Sequence, residues 1–170
     1  MLVESLSTEK VVDKLEENQI PFELFEMESS TATAELAAQE IGCLLGQIVK
    51  SLAYFINGQP HLFLLSGDQM LDSRKVADRF GVGKKKIKMA SAEQCVAVFG
   101  YAPGGVPPIA HRQVIPTLMD DQLQRYEQVY AAAGSKFLNF GIRLDDLAAI
   151  TQAEFVDIVI SPDSSPADLP

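Results

Sequence analysis

Long apolar runs are missing from this 170-residue chain: none approaches the ~20 residues of a membrane-spanning helix. Its acidic start is unlike a secretory signal. Cysteine is scarce too. Cys43 and Cys95 are too few for a disulfide scaffold and lack metal-ligand company, which fits a reducing cytoplasm. Only His61 and His111 are present, so a histidine-rich metal centre is not expected, and neither metal nor cofactor is. Positive charge is in deficit. The net charge of −9 argues against indiscriminate nucleic-acid binding. No fixed-period repeat and no linker divides the chain, so a single domain over 1–160 is expected, with a frayed tail over 161–170.

Familiar catalytic signatures are also absent. There is no Gly-x-Ser-x-Gly elbow, and no serine keeps convincing histidine-and-acid company. Gly81-Val82-Gly83-Lys84-Lys85 lacks the spacing and the Ser or Thr of a phosphate loop. Both cysteines sit in apolar helical patterns and read as inert buried thiols. His111, alone at the end of a loop, reads as structural.

What is present concentrates in two places. Gly100-Tyr101-Ala102-Pro103-Gly104-Gly105-Val106-Pro107-Pro108 can neither continue a helix nor sit inside a sheet. It is either a tight connection or a stiff loop whose amides, chiefly at Gly104, Gly105 and Val106, converge on a carbonyl, an oxyanion or a phosphate. The second place is Lys50. Gln47–Ile56 reads as a strand, Asn57-Gly58 as a hairpin turn, and His61–Leu65 as the return strand, both strands apolar enough to lie centrally. Alternation puts Ile48, Lys50, Leu52, Tyr54 and Ile56 on one face, so Lys50 stands in an apolar row. Either its ammonium snorkels to solvent or it lines a cleft and meets an anionic or carbonyl-bearing ligand.

Helices are expected over 6–19 and 34–42, from Asp72 to Phe80, from the Ser91 capping box to Phe99, after Asp120-Asp121, and over 147–150 with Asp145 as cap. Further strands are expected over 22–27, 114–118 (carrying Pro116, hence an edge or bulge), 128–133, 137–144 and 155–160. This order of hairpins and helices predicts an α+β domain around a curved mixed or antiparallel sheet. Half of all lysine and arginine falls between Arg74 and Lys88, as either a solvated turn or a patch for a few phosphates.

Read together, these landmarks resemble the YbaK/prolyl-tRNA-synthetase-associated editing domain family. They are Gln47-Ile48-Val49-Lys50-Ser51-Leu52, Ser66-Gly67-Asp68 with Leu71-Asp72, Gly100-Tyr101, Gly104-Gly105-Val106-Pro107-Pro108 and Ala133-Gly134-Ser135. The resemblance covers about 34–160 and implies a barrel-like curved sheet flanked by helices. It implies hydrolysis of the ester joining a small mischarged amino acid (Ala, Cys, Ser or Pro) to tRNA, with an aminoacyl-tRNA synthetase as a candidate partner. The family's lysine falls on Lys50, its substrate loop on Gly104, Gly105, Val106, Pro107 and Pro108, and its late turn near Gly134, Ser135 and Asn139. Two departures stand out: Pro107 where many members carry Ser, and Gly134-Ser135-Lys136-Phe137 where many carry Gly-Lys-Arg-Gly. Lys84, Lys85 and Lys86 are the residues expected to meet the tRNA acceptor stem. The competing reading is a binding module without catalysis, holding an aminoacylated end or a small ligand.

Overall fold

The computed structural model describes residues 2–162. In chain order it contains α1 (Glu9–Glu17), β1 (Glu23–Glu26), α2 (Ala34–Ile41), β2 (Ile48–Ile56), β3 (Gln59–Ser66), α3 (Ser73–Phe80) and β4 (Ile87–Met89). There follow α4 (Ala92–Gln94), β5 (Thr117–Asp120), β6 (Gln128–Ser135), β7 (Leu138–Arg143), α5 (Leu144–Thr151) and β8 (Glu154–Val156). No helix among the described residues is long and apolar enough to cross a membrane.

The Asn57-Gly58 turn forms as expected, both residues at positive φ (49° and 82°), and joins β2 to β3 in register from Val49↔Ser66 to Ile56↔Gln59. This hairpin occupies the middle of a mixed sheet ordered β1-β7-β6-β2-β3-β5-β8. Its two faces are both covered. Val49, Ala53, Leu62 and Leu64 pack with Val11 and Leu15 of α1, Leu144 and Leu147 of α5, Phe99 and Tyr101. On the other face Ile56, Phe63 and Leu65 pack with Val76 of α3, and Ile48 packs separately with Ala34, Ala37 and Ala38 of α2. Each such fully buried large side chain contributes roughly 1.5–3 kcal/mol, so the hairpin is where the core is anchored.

The free edge of β2 is divided. Parallel β6 pairs only with Ile48 and Val49, while antiparallel β4 pairs only with Tyr54 to Ile56. Between them, residues 50–53 have no strand beside them on that edge. Ala53 accepts a hydrogen bond from Ala90 N–H at 2.9 Å, so its polar groups face this side. By the two-residue alternation of an antiparallel strand, the N–H and C=O of Ser51 face the same gap.

Several boundaries differ from expectation for local reasons. The strand predicted at 114–118 begins only at Thr117, after Pro116, whose carbonyl accepts from Leu62 N–H at 2.9 Å although its ring offers no donor. Asp145 is not a cap: the helix starts at Leu144 after Arg143, leaving Asp145 and Asp146 to complement the dipole in its first turn. The helix predicted to run on to Phe99 changes after Gln94 into one wide π turn, Cys95–Phe99, closed by Gly100 at φ 103°. β8 ends at Val156, and only an isolated bridge, Leu71↔Val159, continues it. Most of the expected tail, 163–170, lies outside the described residues.

Asp72 caps α3 as expected, its Oδ1 accepting from the amides of Arg74 (2.9 Å) and Lys75 (3.4 Å). Replacing it with Ala removes the acceptor that these two first-turn amides share. Asp72→Ala should therefore lower unfolding stability by about 1 kcal/mol in a urea titration, with the slope unchanged and Asp72→Asn retaining most of it.

Candidate functional site

Lys50 stands between two apolar patches. Ile48 on one side belongs to the α2 cluster, and Leu52, Tyr54 and Ile56 on the other belong to the α3 cluster. The space left between them is a cavity of about 360 Å³ whose lining includes Lys50, Ser51, Gly67, Gly104, Val106 and Asn139. The sheet gap beside residues 50–53 opens on this cavity, which explains how a loop fifty residues downstream in the chain reaches Lys50.

The half-buried Lys50 ammonium donates one hydrogen bond, to the carbonyl of Gln69. Among the described residues, two of its three donors remain for a ligand. Burial pushes its pKa below the ordinary lysine range, and the carboxylates of Glu35, Asp68 and Asp120 push back. Glu35, in the first turn of α2, is the one acid lining the cavity among the described residues. Beneath, Asp120 is fully buried and accepts from the amides of Ser66 (3.1 Å) and Gln122 (2.9 Å); burial raises its pKa.

The segment after β3 is clamped. Arg125 grips Asp68 through both guanidinium nitrogens, at 2.7 and 3.0 Å, and reaches Ser66 Oγ at 2.8 Å. That hydrogen-bonded ion pair holds the Asp68 carboxyl at about 2, below the usual carboxylate range. Gly67 sits in this clamp, and a Cβ there would lie 2.3 Å from the backbone oxygen of Leu45, so no other residue fits.

The Gly/Pro loop is braced from behind. His111 Nε2 lies 2.8 Å from the Pro107 carbonyl, and Tyr101 Oη donates to Ala110 O at 2.7 Å. Burial lowers the His111 pKa, so the neutral ring is a brace at physiological pH. Gly104 takes φ 89°, and Gly105 packs directly on the next turn: a Cβ on it would lie 2.9 Å from Ser135 Cα. The Gly105 N–H is already spent on Ala102 O at 3.1 Å, whereas Gly104 and Val106 line the cavity with amides unpaired among the described residues.

Opposite the loop, Asn139 is 4% exposed and donates from Nδ2 to Thr31 Oγ1 at 3.0 Å, and that hydroxyl donates to Lys136 O at 2.8 Å. Ser51 Oγ is buried without a partner among the described residues.

Of the residues singled out from sequence, Lys50, Gly104, Val106 and Asn139 therefore line one cavity. Gly105, Gly134 and Ser135 do not line it. They pack the loop and turn that wall it: Gly134, at φ 95°, leaves room for the Tyr101 ring. Pro107 contributes its carbonyl to His111, and Pro108 lines a different cavity of about 640 Å³ behind the loop. Lys84, Lys85 and Lys86 form an exposed 3₁₀ turn before β4, without ion pairs among the described residues. Since β4 joins β2 four to six residues beyond Lys50, roughly 13–20 Å along the strand, they lie apart from the cavity. Lys75 and Arg79, in the same basic run, are engaged by Asp157 and Glu154. Thr31, Glu35, Ser51 and Gly67 were not singled out as site residues from sequence.

Residues 28–150 match the family model described as "Aminoacyl-tRNA editing domain". The chain is 27% identical over 147 residues to "Putative Cys-tRNA(Pro)/Cys-tRNA(Cys) deacylase EbsC" of Enterococcus faecalis, covering 85% of this chain and 88% of that protein. A solved structure described as "Crystal structure of a putative trans-editing enzyme for prolyl tRNA synthetase" superimposes with a TM-score of 0.84 at 34% identity, covering 92% of this chain and all of that one. A proline–tRNA ligase of Shouchella clausii is 30% identical over 112 residues, 64% of this chain but only 19% of the ligase.

Because the Asp68 carboxyl is held low by Arg125, its contribution to stability is complete above the ordinary carboxylate range and is lost as pH falls through about 2. Thermal denaturation should find Asp68→Asn less stable than wild type at pH 7, the difference closing between about pH 4 and pH 2 and shrinking with salt.

Proposed function

The chain belongs to the aminoacyl-tRNA editing domain family, and from that premise we propose that it hydrolyses the ester between a small, wrongly attached amino acid and tRNA. The observation carrying this reading is that Lys50 lines one cavity with Gly104 and Val106, whose amides are unpaired among the described residues. An activated ester needs little more than positioning and stabilisation of the charge that grows on its carbonyl oxygen, so a serine or cysteine nucleophile is unnecessary.

In this reading the Gly104 and Val106 amides hold the acyl carbonyl oxygen. The two uncommitted donors of Lys50 hold the terminal phosphate or that same carbonyl. Water attacks the carbonyl carbon, a neighbouring ribose hydroxyl of the substrate serving to relay its proton; attack by that hydroxyl itself would only move the ester onto it, leaving water to cleave the new ester. The bond to the ribose oxygen then breaks, and the attacking group's proton passes to that oxygen. With water as nucleophile the products are free amino acid and uncharged tRNA. The pocket wall of Ala34, Ala37 and Ile48 suits a small side chain such as that of Ala, Cys, Ser or Pro. Discrimination of about 1–3 kcal/mol per methylene in a synthetase is the chemical reason a second hydrolytic site is needed. The partner is aminoacylated tRNA, and a synthetase is a candidate to present it.

Assaying purified protein against Ala-, Ser-, Cys- and Pro-charged tRNAs should show turnover of at least one. Lys50→Ala should lower kcat/KM on it by about 100-fold, in the range of losing one oxyanion donor. Unchanged rates would remove Lys50 from the mechanism, and saturable binding without turnover in the wild type would establish a binding module instead.

We assign the acceptor stem to the exposed Lys84, Lys85 and Lys86. Replacing all three with Ala should weaken tRNA binding and reduce the slope of log K against log salt by about 0.7–0.9 for each phosphate no longer neutralised. An identical slope in filter binding would refute the assignment.

A further inference from the structure

The turn between β6 and β7 presents an aromatic ring that joins none of the hydrophobic clusters or ring pairs among the described residues. Phe137 is 48% exposed. Its backbone is nevertheless fixed: the N–H donates to Ser135 Oγ at 3.0 Å, and the carbonyl accepts from Met27 N–H at 2.8 Å. The preceding Lys136 carbonyl accepts from both the N–H (2.7 Å) and the Oγ1 (2.8 Å) of Thr31. The bond from Met27 to Phe137 continues the register Phe25↔Asn139 and Glu26↔Leu138. Phe137 and Asn139 therefore point to the same face of the sheet, two residues or about 7 Å apart. Asn139 and Thr31 line the cavity, and Lys136 Cβ lies 3.9 Å from where a Cβ on Gly104 would stand. A half-exposed phenyl ring on a hydrogen-bonded backbone thus lies on the Asn139 side of the cavity, just outside the residues that line it and beside the exposed Lys136.

We propose that Phe137 is the platform on which the base of the substrate's terminal nucleotide stacks, with Lys136 beside it for the adjoining phosphate. This rests on the reading that the cavity receives the aminoacyl ester, and it specifies what holds the nucleoside to which that ester is attached. The juxtaposition favours a nucleobase over a protein segment. A single flat ring next to a cation, above a cavity offering amide and ammonium donors, matches a base joined to a phosphate and an acylated sugar. Stacking tolerates any base, so this platform would fix where the terminal nucleotide lies without reading the rest of the sequence.

The chain contains no tryptophan, so Phe137→Trp introduces a lone fluorophore at the platform. Its emission should be quenched saturably by a cytidine-cytidine-adenosine trinucleotide and much less by the same oligonucleotide lacking the terminal base. Equal quenching by the two would overturn the proposal whether or not the protein hydrolyses anything. In the hydrolysis assay, Phe137→Ala should raise KM for the mischarged tRNA about tenfold with kcat retained, Phe137→Trp should keep the wild-type KM, and neither should alter hydrolysis of the methyl ester of the same amino acid. An unchanged KM for tRNA, or equal losses on both esters, would also overturn it. Wild-type protein that turns over none of the charged tRNAs, together with base-dependent quenching of Phe137→Trp, would sink the hydrolase reading and leave the platform standing.

Discussion

A half-buried ammonium interrupting an apolar strand is the constraint on which the rest of this structure turns. Lys50 lies on a strand face whose neighbours are both covered, by α2 at one end and α3 at the other. Neither helix can close over it without stripping water from a charge. The molecule leaves a cavity there and satisfies the ammonium only in part, through the Gln69 carbonyl and the surrounding field of Glu35, Asp68 and Asp120. Around that cavity the groups that frame it are held in place. Arg125 clamps Asp68, His111 braces Pro107, and Thr31 fixes Asn139. A ligand therefore meets groups already in place, which lowers the ordering cost of binding.

The sheet cooperates with this arrangement by being incomplete. Had β6 continued along β2, the backbone of residues 50–53 would be paired and the Gly104–Val106 segment excluded. Instead β6 leaves after Val49 and β4 arrives only at Tyr54, so residues of the strand edge, the glycine loop and the lysine line one space. The glycines serve this convergence in different ways. Gly104 supplies a backbone conformation, while Gly105 and Gly67 supply the absence of a side chain where backbone meets backbone.

The central hairpin was legible in the chain because continuous hydrophobicity and Asn57-Gly58 point the same way. Lys50 was legible because a charge breaks that run, and the 100–108 loop because glycine and proline admit nothing regular. Asn139 emerged only through the family resemblance. Thr31 and Glu35 were hidden by their types: before a helix, a threonine reads as a cap and a glutamate as first-turn charge. Nothing local tells that the segment lies against a turn a hundred residues later. The functional division between Gly104, Val106 and their neighbour Gly105 was hidden likewise, since only the Ala102 carbonyl decides which amide is spent. The late start of β5 and of its register came from tertiary pairing with β3 and β8, which periodicity does not encode.

The bond between Asn139 and Thr31 spans 108 positions, and among the described residues β1 pairs with β7 alone. The wall of the cavity is thus stitched from segments far apart along the chain, by pairings that each close a loop of more than a hundred residues. During synthesis, the first thirty or so residues must wait for β7 to emerge from the ribosome before that wall exists. A nascent chain, or one cut short before residue 139, would carry the lysine and the glycine loop without the chamber they serve.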